Sequence, residues 1–297
     1  MRRATLLLLL LLSATFFAHP QQRPAITGIA FVRMYAADAP ASAAFYGTTL
    51  GFGHADGKGV VRYSVNDLQW LEVEPLPSPA PTSRLAAVAF TTRDAASLQR
   101  YLKAHSIAIT QPLAHGTFGV RDPENNLILF VQQGDKPAGL PVPSPNATSR
   151  RIIHAGFVVK DAAAEDRFYQ DILGFRPYWH GGMHEGQTDW SSLQVPDGTD
   201  WIEYMLNIGP NPTAHQLGVM NHFSLGIAHM DDAIQALARN HCEGPNCKKS
   251  QMGRDGKIQL NLYDPDLTRV EFMEFQPSGP ICCSPITGKS PTEVESK

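Results

Sequence analysis

Phe45-Tyr-Gly-Thr-Thr-Leu-Gly-Phe52 returns, nearly letter for letter, as Phe168-Tyr-Gln-Asp-Ile-Leu-Gly-Phe175. The second copy closes an amphipathic helix over 162–173, which Gly174 stops. Other text repeats in the same order: Trp70-Leu-Glu72 as Trp201-Ile-Glu203, and Asp122-Pro as Asp264-Pro. Working outward from the second copy, 152–160 is rich in β-branched residues and reads as a strand. Strands follow near 175–180, 190–195 and 201–207. The pattern restarts at Met220, with a strand over 222–229, a helix over 231–240 and strands near 250–252, 257–263 and 269–275. That is β-α-β-β-β twice per half, four modules in all, and repetition on this scale outweighs any single segment. The fold class is therefore α+β.

The length of 297 residues favours two domains at about 100–200 residues each. With 43% hydrophobic and 18% charged residues the chain can bury a large core, and it does not resemble a disordered one. The net charge of −3 comes without a basic stripe, which excludes nucleic acid and a polybasic membrane face as expected partners. Residues 1–20, with Arg2 and Arg3 ahead of a leucine run, have the layout of a secretory leader. Export to the periplasm or medium is expected, with no stable membrane span after cleavage; an uncleaved anchor is the alternative reading. Residues 25–134 form the first domain, 135–150 a proline-rich, semi-rigid linker, 151–277 the second domain and 278–297 a cysteine-containing tail. In an oxidising compartment the four cysteines imply disulfides. Cys242 and Cys247 could close a small loop, or Cys282 and Cys283 could tie the tail to that loop. Zinc is disfavoured there because no paired C-x2-C spacing occurs.

The β-α-β-β-β module, the Phe-Tyr-x-x-x-Leu-Gly-Phe helix end and Asp264-Pro-Asp-x-x-x-Val-Glu271 resemble the vicinal-oxygen-chelate superfamily, which includes glyoxalase I, extradiol ring-cleaving dioxygenases and bleomycin-binding proteins. The resemblance spans about 26–277. It implies four modules paired into two cup-shaped domains, with metal ligands on the first and last strand of each module. Carried over residue by residue, those positions are His154, Glu203, His222 and Glu271. Forty-nine residues separate the members of each His–Glu pair. Two imidazoles and two carboxylates form a net −2 site for one divalent ion, whether Zn, Ni, Mn or Fe. The matching first-half positions are Gly28, Glu72, Leu85 and Leu129. Only Glu72 has a ligating side chain, and its simplest role is a solvated strand residue. The metal site is expected in the second half alone.

The resemblance implies a small-molecule substrate that chelates through two vicinal oxygens. Lyase or isomerase chemistry would proceed by proton abstraction next to a carbonyl, with Glu271 or Glu203 as the base and Glu271 preferred. Glyoxalase I has an arginine four residues after its first ligand, where this chain has Val158; Asn207 does match a glutathione-contacting asparagine. An extradiol Fe(II) dioxygenase using His154, His222 and Glu271 is the alternative, and a non-enzymatic binding or resistance protein is the third. Weaker substrate contacts are His184 in a glycine-rich hairpin, His215 in a loop that could form a lid, Tyr263 and Tyr204. A single chain carrying both modules of a cup permits an oligomer without requiring one.

Overall fold

The computed structural model describes residues 22–56 and 59–293. The secretory leader expected at 1–20 lies outside the described residues. Two eight-stranded sheets form, one per half. The first contains β1 (Ile26–Ala36), β2 (Gly53–Asp56), β3 (Val61–Ser64), β4 (Trp70–Pro75), β5 (Leu85–Thr92), β6 (Ile109–Ala114), β7 (Thr117–Arg121) and β8 (Leu127–Gln132). The second contains β9 (Ile152–Val158), β10 (Arg176–Gly181), β11 (Trp190–Gln194), β12 (Trp201–Met205), β13 (His222–Ile227), β14 (Ser250–Met252), β15 (Ile258–Tyr263) and β16 (Arg269–Glu274). Their orders, β2-β3-β4-β1-β5-β8-β7-β6 and β10-β11-β12-β9-β13-β16-β15-β14, are identical once the second is renumbered. In each sheet the two modules meet where their first strands pair antiparallel, β1 with β5 and β9 with β13.

Each module's first strand runs into a helix. Asp38, Asp94 and Asp161 cap three of these helices, their carboxylates accepting from the backbone N–H three residues on; a cap of this kind contributes about 1 kcal/mol. The repeated Phe-Tyr motif is not plain α-helix. Ala162–Asp166 widens into a π-helical segment over Arg167–Ile172, as Ala39–Ala43 does over Ala44–Thr49. The wider turn buries adjacent Phe168 and Tyr169 together. Gly51 and Gly174 then take φ of +72° and +75°, which a side chain would resist.

Helix-facing side chains of both sheets merge into one apolar core, so the halves are not separately cored. Phe90 of the first half meets Phe175 of the second edge to face, centroids 5.3 Å apart. The repeated motifs also lock the halves reciprocally. Tyr46 Oη donates to Asp264 at 2.8 Å, and Tyr169 Oη donates to Asp122 at 3.1 Å. Gln69 bridges the two first strands, its amide donating to the Ile29 and Ile152 carbonyls while its oxygen accepts from Ile152 N–H.

The proline-rich segment 135–150 contains no helix or strand, but it is no free spacer. Thr148 N–H and Oγ1 both donate to the Leu50 carbonyl, and Ala147 packs on the core. Disulfides join Cys242 to Cys247 and Cys282 to Cys283. The tail is therefore not tied to the 242–247 loop; its two cysteines bond each other. Instead it bridges the edge strands of the second sheet. Cys282 N–H donates to the Arg254 carbonyl beside β14, and Thr287 N–H to the Tyr178 carbonyl of β10. Ile286 packs against the aromatic cluster of Tyr178, Trp179 and Trp201. Among the described residues, no helix is long and apolar enough to cross a membrane.

Candidate metal centre

Strand alternation decides what faces the second cup. Phe223, Leu225, Val270 and Phe272 point into the shared core. The residues between them, His222 and Ser224 on β13 and Arg269, Glu271 and Met273 on β16, take the other face. Cross-strand register sets His154 beside Ser224 and Trp201, and sets Gly156 beside His222 and Glu203. The side chains converge accordingly. His154 Nε2 lies 3.1 Å from His222 Nε2 and 3.2 Å from Glu271 Oε2. One ligand atom each from His154, His222 and Glu271 falls within 4.8 Å of the others, all three residues buried. Glu203 stands to one side, its Oε2 3.7 Å from His222 Nε2.

His222 Nδ1 lies 2.9 Å from the Met220 carbonyl, an acceptor only, so Nδ1 carries the proton and Nε2 presents a lone pair to the cup. Burial lowers the His154 pKa and holds that of His222 well below the ordinary value, with the Arg269 charge adding to both. Both imidazoles are thus neutral, the form that ligates metal. Burial works upward on Glu271, but the Arg269 guanidinium and the hydrogen bond from His154 bring it down to about 2. Glu203 is pushed up to about 8 by burial and by the Glu271 charge. Its one side-chain hydrogen bond, from Ser192 Oγ, is long at 3.5 Å. Two neutral imidazoles and a carboxylate suit a divalent first-row ion, and the buried His154 Nδ1 without a partner shows that protein contacts alone do not satisfy this cluster.

Arg269 was not anticipated. Its Nη2 donates to His222 Nε2 at 2.8 Å and its Nη1 lies 3.8 Å from Glu271 Oε1. With both carboxylates ionised it brings the expected net charge of −2 to −1. The one available signal was its position, two residues before Glu271 on the same strand face. Trp201 tilts against the His154 ring at 4.8 Å. Beyond it, fully buried Lys257 places its ammonium 4.6 Å from the Trp201 ring centroid.

Gly156 makes the geometry possible, because a methyl group there would overlap the His222 imidazole. The first half shows the converse. By register, the counterparts of His154, Glu203, His222 and Glu271 are Phe31, Glu72, Ala87 and Leu129, and the counterpart of Gly156 is Arg33. The expected Gly28 and Leu85 were therefore displaced by three and two residues. Phe31, Ala87 and Leu129 fill that cup with an apolar cluster. Glu72 is not solvated either: it is 3% exposed and paired with Arg33 at 2.7 Å and Arg62 at 3.0 Å.

The weaker candidates sit as follows. Tyr204 neighbours Glu203 in sequence and so points to the opposite face, packing against Phe157 and Tyr169 in the shared core. Asn207 braces a loop, its amide donating to the Thr188 carbonyl and to Asp189 Oδ1. His184 is exposed in that loop. His215 lies on a helix, Ala214–Met220, rather than in a loop, because Thr213 and Gln216 form a capping box. Its ring stacks on Tyr263 at 6.0 Å. Tyr263 is the cross-strand neighbour of Arg269.

Comparison with known proteins places this geometry in context. No curated protein matches the chain in sequence. Similar solved structures include homoprotocatechuate 2,3-dioxygenase from Brevibacterium fuscum in complex with 3,4-dihydroxyphenylacetate, at 19% identity and TM-score 0.61, covering 85% of this chain and 82% of that one. The enzyme of the same name from Arthrobacter globiformis matches at 19% identity and TM-score 0.61 over 87% and 84%. At such identities the likeness is one of fold. The family model described as glyoxalase/bleomycin resistance protein/dioxygenase superfamily matches twice, over residues 28–130 and 151–272. Two matched repeats, one in each eight-stranded sheet, make this chain a member of the glyoxalase/bleomycin resistance protein/dioxygenase superfamily.

Proposed function

We propose that the second cup is a divalent-metal centre held by His154, His222 and Glu271, and that the protein abstracts a proton next to a carbonyl of a small substrate presenting two vicinal oxygens. The observation that carries this reading is Glu203: a largely buried carboxylate, its side chain 12% exposed, facing His222 at 3.7 Å, yet outside the three-residue cluster. A bound divalent cation would supply Lewis acidity to the two substrate oxygens. Glu203 is the base, because Glu271 is committed to His154 and Arg269 while Glu203 has only the long Ser192 contact. Removal from water strengthens a carboxylate as a base. Trp201, Tyr178 and Trp179 keep water from the floor of the cup. Export through residues 1–20 is part of the same proposal, and the two disulfides support an oxidising location.

The test combines metal content with isotope exchange. Wild-type protein should hold one equivalent of metal, His154→Ala should lose it, and Glu203→Gln should keep it while losing exchange of the substrate's α-proton with D2O. Full exchange in Glu203→Gln refutes the assignment of the base. A second reading, extradiol ring cleavage, draws on the two-histidine, one-carboxylate composition of the cluster and on the homoprotocatechuate 2,3-dioxygenases among the similar structures. Oxygen uptake with catechols by Fe(II)-loaded protein, surviving in Glu203→Gln, would favour it.

A further inference from the structure

We propose that Arg269 anchors a carboxylate of the substrate, so that this site takes a small chelating acid, with the carboxylate beside or among its vicinal oxygens. The inference rests on the metal-centre reading above. A guanidinium carries five N–H donors and is never neutral in a protein. Arg269 spends them poorly. Its side chain is only 14% exposed, its Nε is buried with no partner, and its Nη1 stands 3.8 Å from Glu271, beyond hydrogen-bond reach. The hydrogen bond it does make, at 2.8 Å, goes to His222 Nε2.

That acceptor is the lone pair a divalent cation requires. The two claims on Nε2 exclude each other, so metal binding strips Arg269 of its hydrogen bond and adds two positive charges nearby. Its remaining counter-charge, Glu271, is itself a ligand in this reading. A confined guanidinium in that position needs a new anion, since an unpaired buried charge is costly. The planar Nε/Nη edge matches a carboxylate with two parallel hydrogen bonds. Other orphans lie on the neighbouring strands. Ser224 Oγ and Asn261 Oδ1 are buried without partners, and both residues are cross-strand neighbours of Glu271. Tyr263, directly opposite Arg269 and stacked on His215, supplies an aromatic wall. Lys257, the other cation of this cup, is occupied by Tyr178 and Trp201, which leaves Arg269 as the group in want of an anion.

The test uses the whole mature protein loaded with Co2+, whose visible spectrum reports ligand binding without any turnover. Oxalate is the anionic chelating probe, and acetohydroxamate chelates through two oxygens without a carboxylate. Arg269→Gln keeps a polar, though shorter, side chain and removes the charge. It should weaken oxalate by about tenfold or more, the loss expected for hydrogen bonds to a charged group, while changing acetohydroxamate less than about twofold. Co2+ should bind Arg269→Gln at least as tightly as wild type, because a competitor for His222 has gone. Arg269→Lys should recover part of the oxalate affinity. If Arg269→Gln binds both probes as wild type does, the inference is overturned and the metal reading stands. If Co2+ affinity falls in Arg269→Gln, Arg269 positions His222 instead, and the inference is again overturned. Wild-type protein that takes up no Co2+ overturns the metal centre and the inference with it.

Discussion

Replacing Gly156 with alanine tests the geometry of the cup at one atom. The added methyl would press on Cε1, Nδ1 and Nε2 of His222, the whole inner edge of the ring. Gly156 sits on β9 between neighbours on both sides, so its backbone cannot simply withdraw. The imidazole must turn, giving up its bond to the Met220 carbonyl and moving Nε2 away from the atom 3.1 Å distant on His154. Loss of an orienting partner alone typically costs 10–100-fold in metal affinity. With the ligand atom itself displaced, the expected loss is at the upper end, about 100-fold. Forcing a methylene-sized group into a packed site also costs about 1–3 kcal/mol. The two effects separate experimentally: Zn2+ affinity by competition with a chromophoric chelator, and stability by urea denaturation in the presence of EDTA. The double variant Gly156→Ala/His222→Ala should regain most of the stability and none of the affinity, a coupling that a double-mutant cycle measures. Zn2+ affinity in Gly156→Ala within twofold of wild type would refute the reasoning.

Three further outcomes follow from the interface between the halves and from the tail. Tyr46→Phe and Tyr169→Phe each leave a buried carboxylate short of one donor, at Asp264 and Asp122 respectively. Each should cost about 1–3 kcal/mol in urea unfolding, and a variant indistinguishable from wild type would show that the lock bears no load. Burial raises Asp122 and Asp264 to about 6 and Glu165, with the Asp122 charge adding, to about 8. Folding therefore raises these pKa values, the folded chain binds more protons than the unfolded one in between, and stability falls as pH climbs from about 4 to about 8. Glu165→Gln should flatten the upper part of that slope, seen as Tm against pH; a slope unchanged between pH 5 and 8 would discard Glu165 as its source. A chain ending at residue 280 uncovers Tyr178 and Trp179 and frees the Trp179 indole N–H, which donates to the Cys282 carbonyl at 3.1 Å. It should bind more of a hydrophobic dye and melt lower, and an unchanged melting temperature would make the tail an ornament.

The modules were legible because their signals are local. A helix end such as Phe168 to Phe175 carries its own stop in Gly174, and strands of the second half fell within two residues or so of their expected bounds. The four cup residues came from the resemblance, carried over position by position; alternation along β13 and β16 agrees with it by turning Phe223, Leu225, Val270 and Phe272 toward the core. Alternation also explains Tyr204, which is one residue on from Glu203 and so faces the other way, into the core. In the first half, counting failed because β1 is eleven residues long and shifts register against β5 at three places. The two shifts up to Phe31 move the counterpart of His154 along the strand, from Gly28 to Phe31. Beyond its position before Glu271, nothing in the sequence around Arg269 marks it, since its contact is with a residue of another strand. Only the ring of His222, brought from another strand, shows where its guanidinium is spent.

The size exchange between the two cups has a consequence for the order in which substitutions can be made. In the second cup a glycine faces a histidine; in the first, Arg33 faces Ala87 at the same cross-strand pair. Rebuilding a metal centre in the first cup is therefore not a matter of adding Phe31→His, Ala87→His and Leu129→Glu to the existing Glu72. An imidazole at 87 competes for space with Arg33 at the facing position, and removing Arg33 first leaves buried Glu72 with Arg62 and the Trp70 indole N–H. Either single step at this pair is expected to cost stability that the paired change Arg33→Gly with Ala87→His would avoid. The two cups share a core and a topology, yet at this pair their interiors are expected to interconvert by two changes at once and not by one.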